Sequence, residues 1–344
     1  MEKPPSHPAA VLQAIASNLV IEERKTPLPG PGDILVRNHA IAINPVDWKR
    51  QAWGVLIPSF PVILGADISG TVVKVGESVT AFKPGDRVLG FADAFATHNH
   101  DRAAFQEYTV ISATSTALLP ENITFKQGAT LPTAVATASM ALFDVLGLPR
   151  EAAENSGTSV LIWGGGSSVG SMAIQLARLA GLKVYAAASE RQHKRLRGLG
   201  SSFLVDYSSP TAAADVISAA DRAGDDIAFA VDAISTADSL APVVGVVSKS
   251  TSPKKKIART LGAWPEGVVL PDGVETQHIL GNEFTSRRVD LSVWMCHDVL
   301  PKWLERGELV PQEQNVVGGG VGALQRGLDV LKEGAGSEKA VVEL

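Results

Sequence analysis

The chain has 344 residues, 45% of them apolar and 19% charged, with a formal net charge of −5 at pH 7. That leaves room for two domains of ordinary size with sizeable cores, and the acidic balance excludes a general nucleic-acid binder. No apolar run approaches the roughly 18 residues of a membrane span, no charged-then-apolar leader opens the chain, and the one cysteine, Cys296, has no internal disulfide partner, so a cytoplasmic protein is expected.

Residues 1–8 carry three prolines and read as a frayed lead-in. Residues 10–24 and 33–43 alternate as strands do, joined by the Pro- and Gly-rich Thr26-Pro27-Leu28-Pro29-Gly30-Pro31-Gly32, and Asn44-Pro45-Val46-Asp47-Trp48-Lys49 breaks the strand pattern. Further short strands follow at 61–70 and 71–75, and Lys83-Pro84-Gly85-Asp86-Arg87-Val88 is turn chemistry leading into another. Many short strands punctuated by Gly and Pro predict a compact β-barrel-like unit. From about Thr124 the texture changes to an Ala-rich helix and then to alternating strands and helices, an α/β pattern.

The stretch 159–181 is the most informative. Val160 to Trp163 is a short apolar run, as in a parallel strand covered on both faces. Gly164, Gly165 and Gly166 let the backbone turn tightly, a helix follows, and Gly181 is placed to end it. Such a turn aims free N–H groups and the positive end of a helix dipole at a guest, usually a pyrophosphate. In the dinucleotide fingerprint, Gly165, Ser167 and Gly170 take the three glycine places. The serine in the middle should hold a diphosphate further off or bond to it through its hydroxyl. The next strand, 182–188, ends at Ser189, where a fold preferring the unphosphorylated cofactor carries Asp or Glu. A hydroxyl with Arg191, His193, Lys194, Arg195 and Arg197 following on a helix start suits a 2′-phosphate, hence NADPH, although Glu190 could still serve as the ribose acid. His98-Asn99-His100-Asp101 is the one metal-like cluster and reads as solvated surface; Cys296 with His297 reads as helix packing.

Several segments run in the order of a known family: Pro29 to Val36, Asn44 to Lys49, Gly65-Ala66-Asp67-Ile68-Ser69-Gly70, Lys83 to Val88, Phe105-Gln106-Glu107-Tyr108, the glycine turn, and Gly327-Leu328-Asp329-Val330-Leu331. On these the chain resembles the medium-chain dehydrogenase/reductases, and among them the zinc-independent fungal branch with the trans-acting enoyl reductases that partner polyketide synthases, a branch that also resembles quinone oxidoreductases. The resemblance implies a GroES-like β-barrel-type catalytic domain over 1–130, a Rossmann NADP-binding domain with a doubly wound parallel sheet over 131–285, and a return to the catalytic domain over 286–344 near a helix at 291–304. Ligands of this family sit between the domains. The tail from Gly334 to Lys339 is one residue shorter than is common.

Zinc-dependent relatives place a cysteine near Asn44-Pro45 and Gly-His-Glu at Gly65-Ala66-Asp67, and they carry a four-cysteine lobe that is missing here, so no metal is expected. By carry-over, Val46, Asp47, Trp48 and Lys49 contact the nicotinamide end, with Lys49 linked to catalysis. Leu131, Thr133, Ala134 and Thr137 lie at the helix start lining the substrate site, with Thr137 nearest the nicotinamide. Gly165, Gly166, Ser167, Ser168 and Val169 form the diphosphate turn. Ser189, Arg191 and Lys194 face the 2′-phosphate, Tyr207 the adenosine, and Ile234 and Ser235 offer backbone contacts to the nicotinamide half. From the residues alone, Trp48 could be core, Asp47 could cap a turn, Thr137 could bond its own helix carbonyl, and Lys49 could cover Trp48 with its stem. The resulting expectation is an NADPH-dependent, zinc-independent reductase of carbon–carbon double bonds conjugated to a carbonyl, acting on a small enone or unsaturated acyl thioester, with a polyketide synthase as a partner and no nucleic-acid or membrane role. Quinone or aldehyde reduction, and a non-catalytic NADPH-binding partner protein, remain the alternatives.

Overall fold

Residues 6–8 belong to a strand rather than to a frayed lead-in. In the computed structural model, which describes residues 4–334 and 337–344, Ser6–Leu12 pairs antiparallel with Leu19–Lys25 and, along its other edge, with Val62–Ile63. The anchor is tertiary. His7 is buried, its Nδ1 3.0 Å from Thr26 Oγ1 and its Nε2 3.2 Å from Gln106 Oε1. Met1, Glu2 and Lys3 of that lead-in, and Ala335 and Gly336 of the tail, lie outside the described residues.

The chain divides into two units, one of Met1–Thr133 with Asn282–Leu344, the other of Ala134–Gly281. The first is organised by the ten-residue strand Asp33–Ala42. One edge pairs with Tyr108–Ser112 over its first half and with Lys339–Glu343 over its second. The other edge pairs with Asp67–Val75, and the sheet continues through Arg87–Phe91 to Thr116–Leu118. Residues 67–75 are thus one strand, not the two short ones suggested at 61–70 and 71–75. Two register shifts, at Leu35/Val36 and Asn38/Ala40, let the long strands bend without separating. The inward residues Ile34, Val36, Ile41, Leu64, Ile68, Val88 and Phe105 form the core.

Asn44 to Lys49 is neither loop nor turn. It opens the helix Pro45–Trp53, with Asn44 as N-cap, Pro at the first position and Asp47 completing a capping box. The helix expected at 291–304 is interrupted: Val289–Val293 leads into a wider π turn at Trp294–Val299 and then Leu300–Glu305. Pro301 has no N–H to donate, which removes one bond from the α ladder there.

The second unit is built on six parallel strands in the spatial order Phe203–Val205, Lys183–Ala187, Ser159–Trp163, Phe229–Asp232, Lys255–Arg259 and Val274–His278. By sequence this is third, second, first, fourth, fifth, sixth, the doubly wound Rossmann arrangement. Ser159–Trp163 lies at its centre, with every residue buried. The order reverses on either side of it, so the crevice at its carboxyl end is where such a sheet binds its ligand. Among the described residues no helix is long and apolar enough to cross a membrane.

Candidate active site

The glycine turn leaves the central strand at that crevice. Gly164 has φ +77°, a conformation that costs other residues strain. The N–H groups of Gly164 and Gly165 both donate to the Ala187 carbonyl of the adjacent strand, at 3.1 and 2.9 Å. Ser167 then caps the helix Ser168–Leu179: its Oγ accepts from Gly170 N at 3.0 Å and donates to the Gly164 carbonyl at 2.8 Å. The one proton of this hydroxyl is used inside the turn, an arrangement that favours the first of the two expectations, a diphosphate held further off. Gly170 is obligatory, because a Cβ there would stand 2.2 Å from the Gly164 carbonyl oxygen. The N–H groups of Gly166 and Val169 have no partner among the described residues. Two free donors at the positive end of a twelve-residue helix fit a diphosphate. Ser168, the first helical residue, is beside them.

At the end of the neighbouring strand, Ser189 begins a short 3₁₀ turn, Glu190–Gln192, and the helix His193–Leu199 starts only after it. The basic run therefore straddles two elements instead of opening one helix. The Ser189 hydroxyl is half-buried and, like the exposed side chains of Arg191 and Lys194, has no partner among the described residues. Tyr207 is 54% exposed, in the turn after the strand Phe203–Val205. Beyond Phe229–Asp232, the Asp232 carboxylate accepts from the backbone N–H groups of Ile234 and Ser235, both at 2.9 Å, and from Ser239 Oγ at 2.7 Å. Burial holds this carboxyl above its ordinary pKa, and the bonds oppose the shift. Ile234 and Ser235 can thus offer a ligand their carbonyls but not their N–H groups.

In the first unit, four residues distant in sequence close on one another. Asp67, fully buried, accepts from Thr133 N at 2.7 Å and Thr133 Oγ1 at 2.5 Å through Oδ1, and from Asn44 Nδ2 at 2.9 Å through Oδ2. Lys339, 3% exposed, donates to Asn44 Oδ1 at 2.5 Å, and its ammonium lies 3.5 Å from Asp67 Oδ2. Asp47, 1% exposed, points inward and accepts from Asn44 N at 2.8 Å, and burial raises its pKa to about 6. Thr133 is therefore held by Asp67, while Leu131 and Ala134 are buried. Asn44, Asp67 and Lys339 were not singled out from sequence. Asn-Pro-x-Asp spells a helix cap, but nothing near Lys339 announces its partners.

The remaining expected residues sit more openly. Val46, Trp48 and Lys49 are half-buried on the helix Pro45–Trp53. Trp48 packs on the core and meets Trp53 edge-on at 5.0 Å. The Lys49 ammonium lies 5.8 Å from the centre of the Trp48 ring and makes no hydrogen bond among the described residues. In the second unit, Thr137 lies on the helix Pro132–Ser139, just before a π turn, Met140–Val145. Its hydroxyl faces Gly281 and bonds no helix carbonyl. His98 is exposed and Asp101 pairs with Arg24. Cys296 is buried, its thiol pushed up to about 12 by burial, and His297 Nε2 is 2.9 Å from the Ala113 carbonyl oxygen.

A catalytic zinc needs three protein ligands and an open position. At the corner Ala66 offers no donor, and Asp67 already faces the Lys339 ammonium. Among the described residues no three His, Cys, Asp or Glu side chains are grouped to hold a metal ion. The residues present do not fit zinc.

Residues 30–121 match the alcohol dehydrogenase GroES-like domain family. A trans-enoyl reductase of Aspergillus japonicus is 33% identical over 91% of this chain and 90% of its own. A trans-enoyl reductase of Aspergillus flavipes is 34% identical over 98% and 99%. The chain belongs to the medium-chain dehydrogenase/reductase superfamily. Within it, the chain falls in the fungal enoyl reductase branch, and it is an oxidoreductase of a kind that binds a nicotinamide cofactor. The CurK enoyl reductase structure shares the fold of this dehydrogenase/reductase at a TM-score of 0.78, with 19% identity over 98% of this chain and 99% of its own. A structure described as a putative zinc-dependent alcohol dehydrogenase from Rhizobium etli does so at 0.82, with 24% identity over 98% of both.

Proposed function

We propose that this protein is an NADPH-dependent, zinc-independent reductase of carbon–carbon double bonds conjugated to a carbonyl. Its substrate would be an enone or an unsaturated acyl thioester, the latter presented by a polyketide synthase acting in trans. The observation that carries the reading is a chemical division between the two units. One keeps free backbone donors and unpartnered hydroxyl and cationic groups for a phosphorylated dinucleotide. The other fills the zinc positions of its relatives with Ala66 and with a carboxylate held against a lysine. The names of the trans-enoyl reductases that match nearly end to end support the substrate class.

When bound, the reduced dinucleotide supplies hydride to the β-carbon of the substrate. The N–H groups of Gly166 and Val169 would hold its diphosphate, and Ser189, Arg191 and Lys194 its 2′-phosphate. Without a metal, the developing oxyanion must be met by hydrogen-bond donors. Lys49 and Thr137 both carry donors that make no hydrogen bond among the described residues. Lys49 would supply the proton relay and Thr137 would hold the substrate carbonyl.

The test is NADPH and NADH oxidation, after exhaustive chelation, against enones, unsaturated acyl thioesters, quinones and aldehydes. Turnover of the first two classes with NADPH is expected, and Lys49→Ala should lower kcat by about ten- to a thousand-fold. Turnover confined to quinones or aldehydes, or a requirement for added zinc, would overturn the proposal.

A further inference from the structure

Arg50, one residue past Lys49, is 4% exposed, and its guanidinium has neither a hydrogen bond nor an ion pair among the described residues. Its Nε is sealed from solvent without a partner. An arginine cannot escape this by losing its proton under ordinary conditions, and buried guanidinium groups are normally matched to carboxylate or phosphate. The charge of Asp47 acts on Arg50 and offsets part of the cost of its burial, but forms no ion pair with it. Asp47, one turn before it, accepts from Asn44 N through Oδ2. Asp93 is bound by Arg102 through both carboxylate oxygens, at 2.5 and 3.2 Å. What Arg50 does meet is the ring of Phe95, 5.9 Å from the guanidinium carbon to the ring centre. An aromatic face orients the planar fork without using its N–H groups.

We propose that Arg50, oriented by Phe95, is the recognition point for an oxyanion, a carboxylate or phosphate carried by a small ligand of this enzyme. The proposal deepens the reductase reading by giving the substrate class a charge. The unpaired guanidinium is completed by two parallel N–H···O bonds to the anion. Such an anion comes from the substrate, as a terminal carboxylate or the phosphate of a pantetheine arm, or from a phosphate of the dinucleotide.

Three readouts on the full chain, unmodified and as Arg50→Met, test this. In thermal unfolding, inorganic phosphate replacing chloride at matched ionic strength should raise the Tm of the unmodified protein and leave that of Arg50→Met unchanged. This readout needs no turnover, so it stands even if the reductase reading fails. In steady-state kinetics, the ratio of kcat/KM for crotonyl-coenzyme A to that for the neutral crotonyl N-acetylcysteamine thioester should fall about ten- to a hundred-fold in Arg50→Met. An unchanged NADPH Kd then assigns the anion to the substrate, whereas an NADPH Kd weakened about tenfold or more, with both thioesters affected alike, assigns it to the dinucleotide. Equal phosphate stabilisation of both proteins, with selectivity and NADPH affinity intact, would overturn the proposal.

Discussion

The glycine turn at residues 164–170 and the polar corner around Asp67 are both dense in hydrogen-bonding groups, but they direct them differently. In the turn, Ser167 and Ala187 satisfy the groups that shape the backbone, while the N–H groups of Gly166 and Val169 stay free. In the corner, every bond described ends on another member: Asp67 on Asn44 and Thr133, Asn44 on Lys339. A region with free, fixed donors is prepared for a ligand. A region whose charges are mutually neutralised fixes the elements that meet there, and it has little capacity left for a metal.

The largest effect should come from opening the corner. Lys339→Met leaves the buried Asp67 carboxylate without its cation, and loss of one partner from a buried pair costs about 3–5 kcal/mol. Denaturant unfolding should show that loss, and adding Asp67→Asn should recover much of it. A cost below about 1 kcal/mol would mean that the corner is not closed as described.

Next is the turn itself. Gly170→Ala forces the Gly164 carbonyl to move, since the new Cβ would lie 2.2 Å from its oxygen. A stability loss of about 1–3 kcal/mol is expected. Dinucleotide affinity, read by fluorescence titration, should drop at least about tenfold because the free donors are displaced. If stability falls but affinity holds, the turn is structural only.

Ser189→Asp leaves the glycine turn intact and changes only the charge at the start of the turn Glu190–Gln192. NADPH affinity should weaken about tenfold while NADH affinity changes little. Equal affinities for the two cofactors in the unmodified protein would remove the basis for assigning Ser189, Arg191 and Lys194 to a 2′-phosphate.

The smallest effect is a pH dependence in the corner. Burial raises Asp47 from 3.8 to about 6. The folded state thus holds this proton more tightly than the unfolded chain does. The stability gained is complete below about pH 3.8 and is lost as pH rises through about 6. The stability difference between the unmodified protein and Asp47→Asn should therefore decline from about pH 4 to 6 and level off above 7, as read from Tm across that range. A difference that grows with pH would contradict the buried carboxyl.

Much of the architecture was legible because its signals are local. The run Val160–Trp163, three glycines and a helix ended by Gly181 needed only neighbouring residues to be read. Asn44-Pro45 with Asp47 three positions on also spelled a helix start, yet among strand-like neighbours that segment reads only as a break in the strand pattern. Ser167 left two readings open for a related reason: a fingerprint marks the place of a side chain but not the direction of its one proton, which here goes to the Gly164 carbonyl.

By itself the sequence determined the parallel α/β half, the strand-rich half, the glycine turn and the absence of cysteine and histidine from the expected zinc places. These depend on backbone conformational limits and hydrophobic periodicity, which act over a few residues. Only the tertiary structure decided that His7 is an anchor, that Lys339 faces Asp67 across 272 positions of numbering (339 − 67), and that Arg50 is buried with no ion pair among the described residues. The cost of a buried polar or charged group depends on what the rest of the chain brings within about 3–4 Å of it, and no local pattern records that.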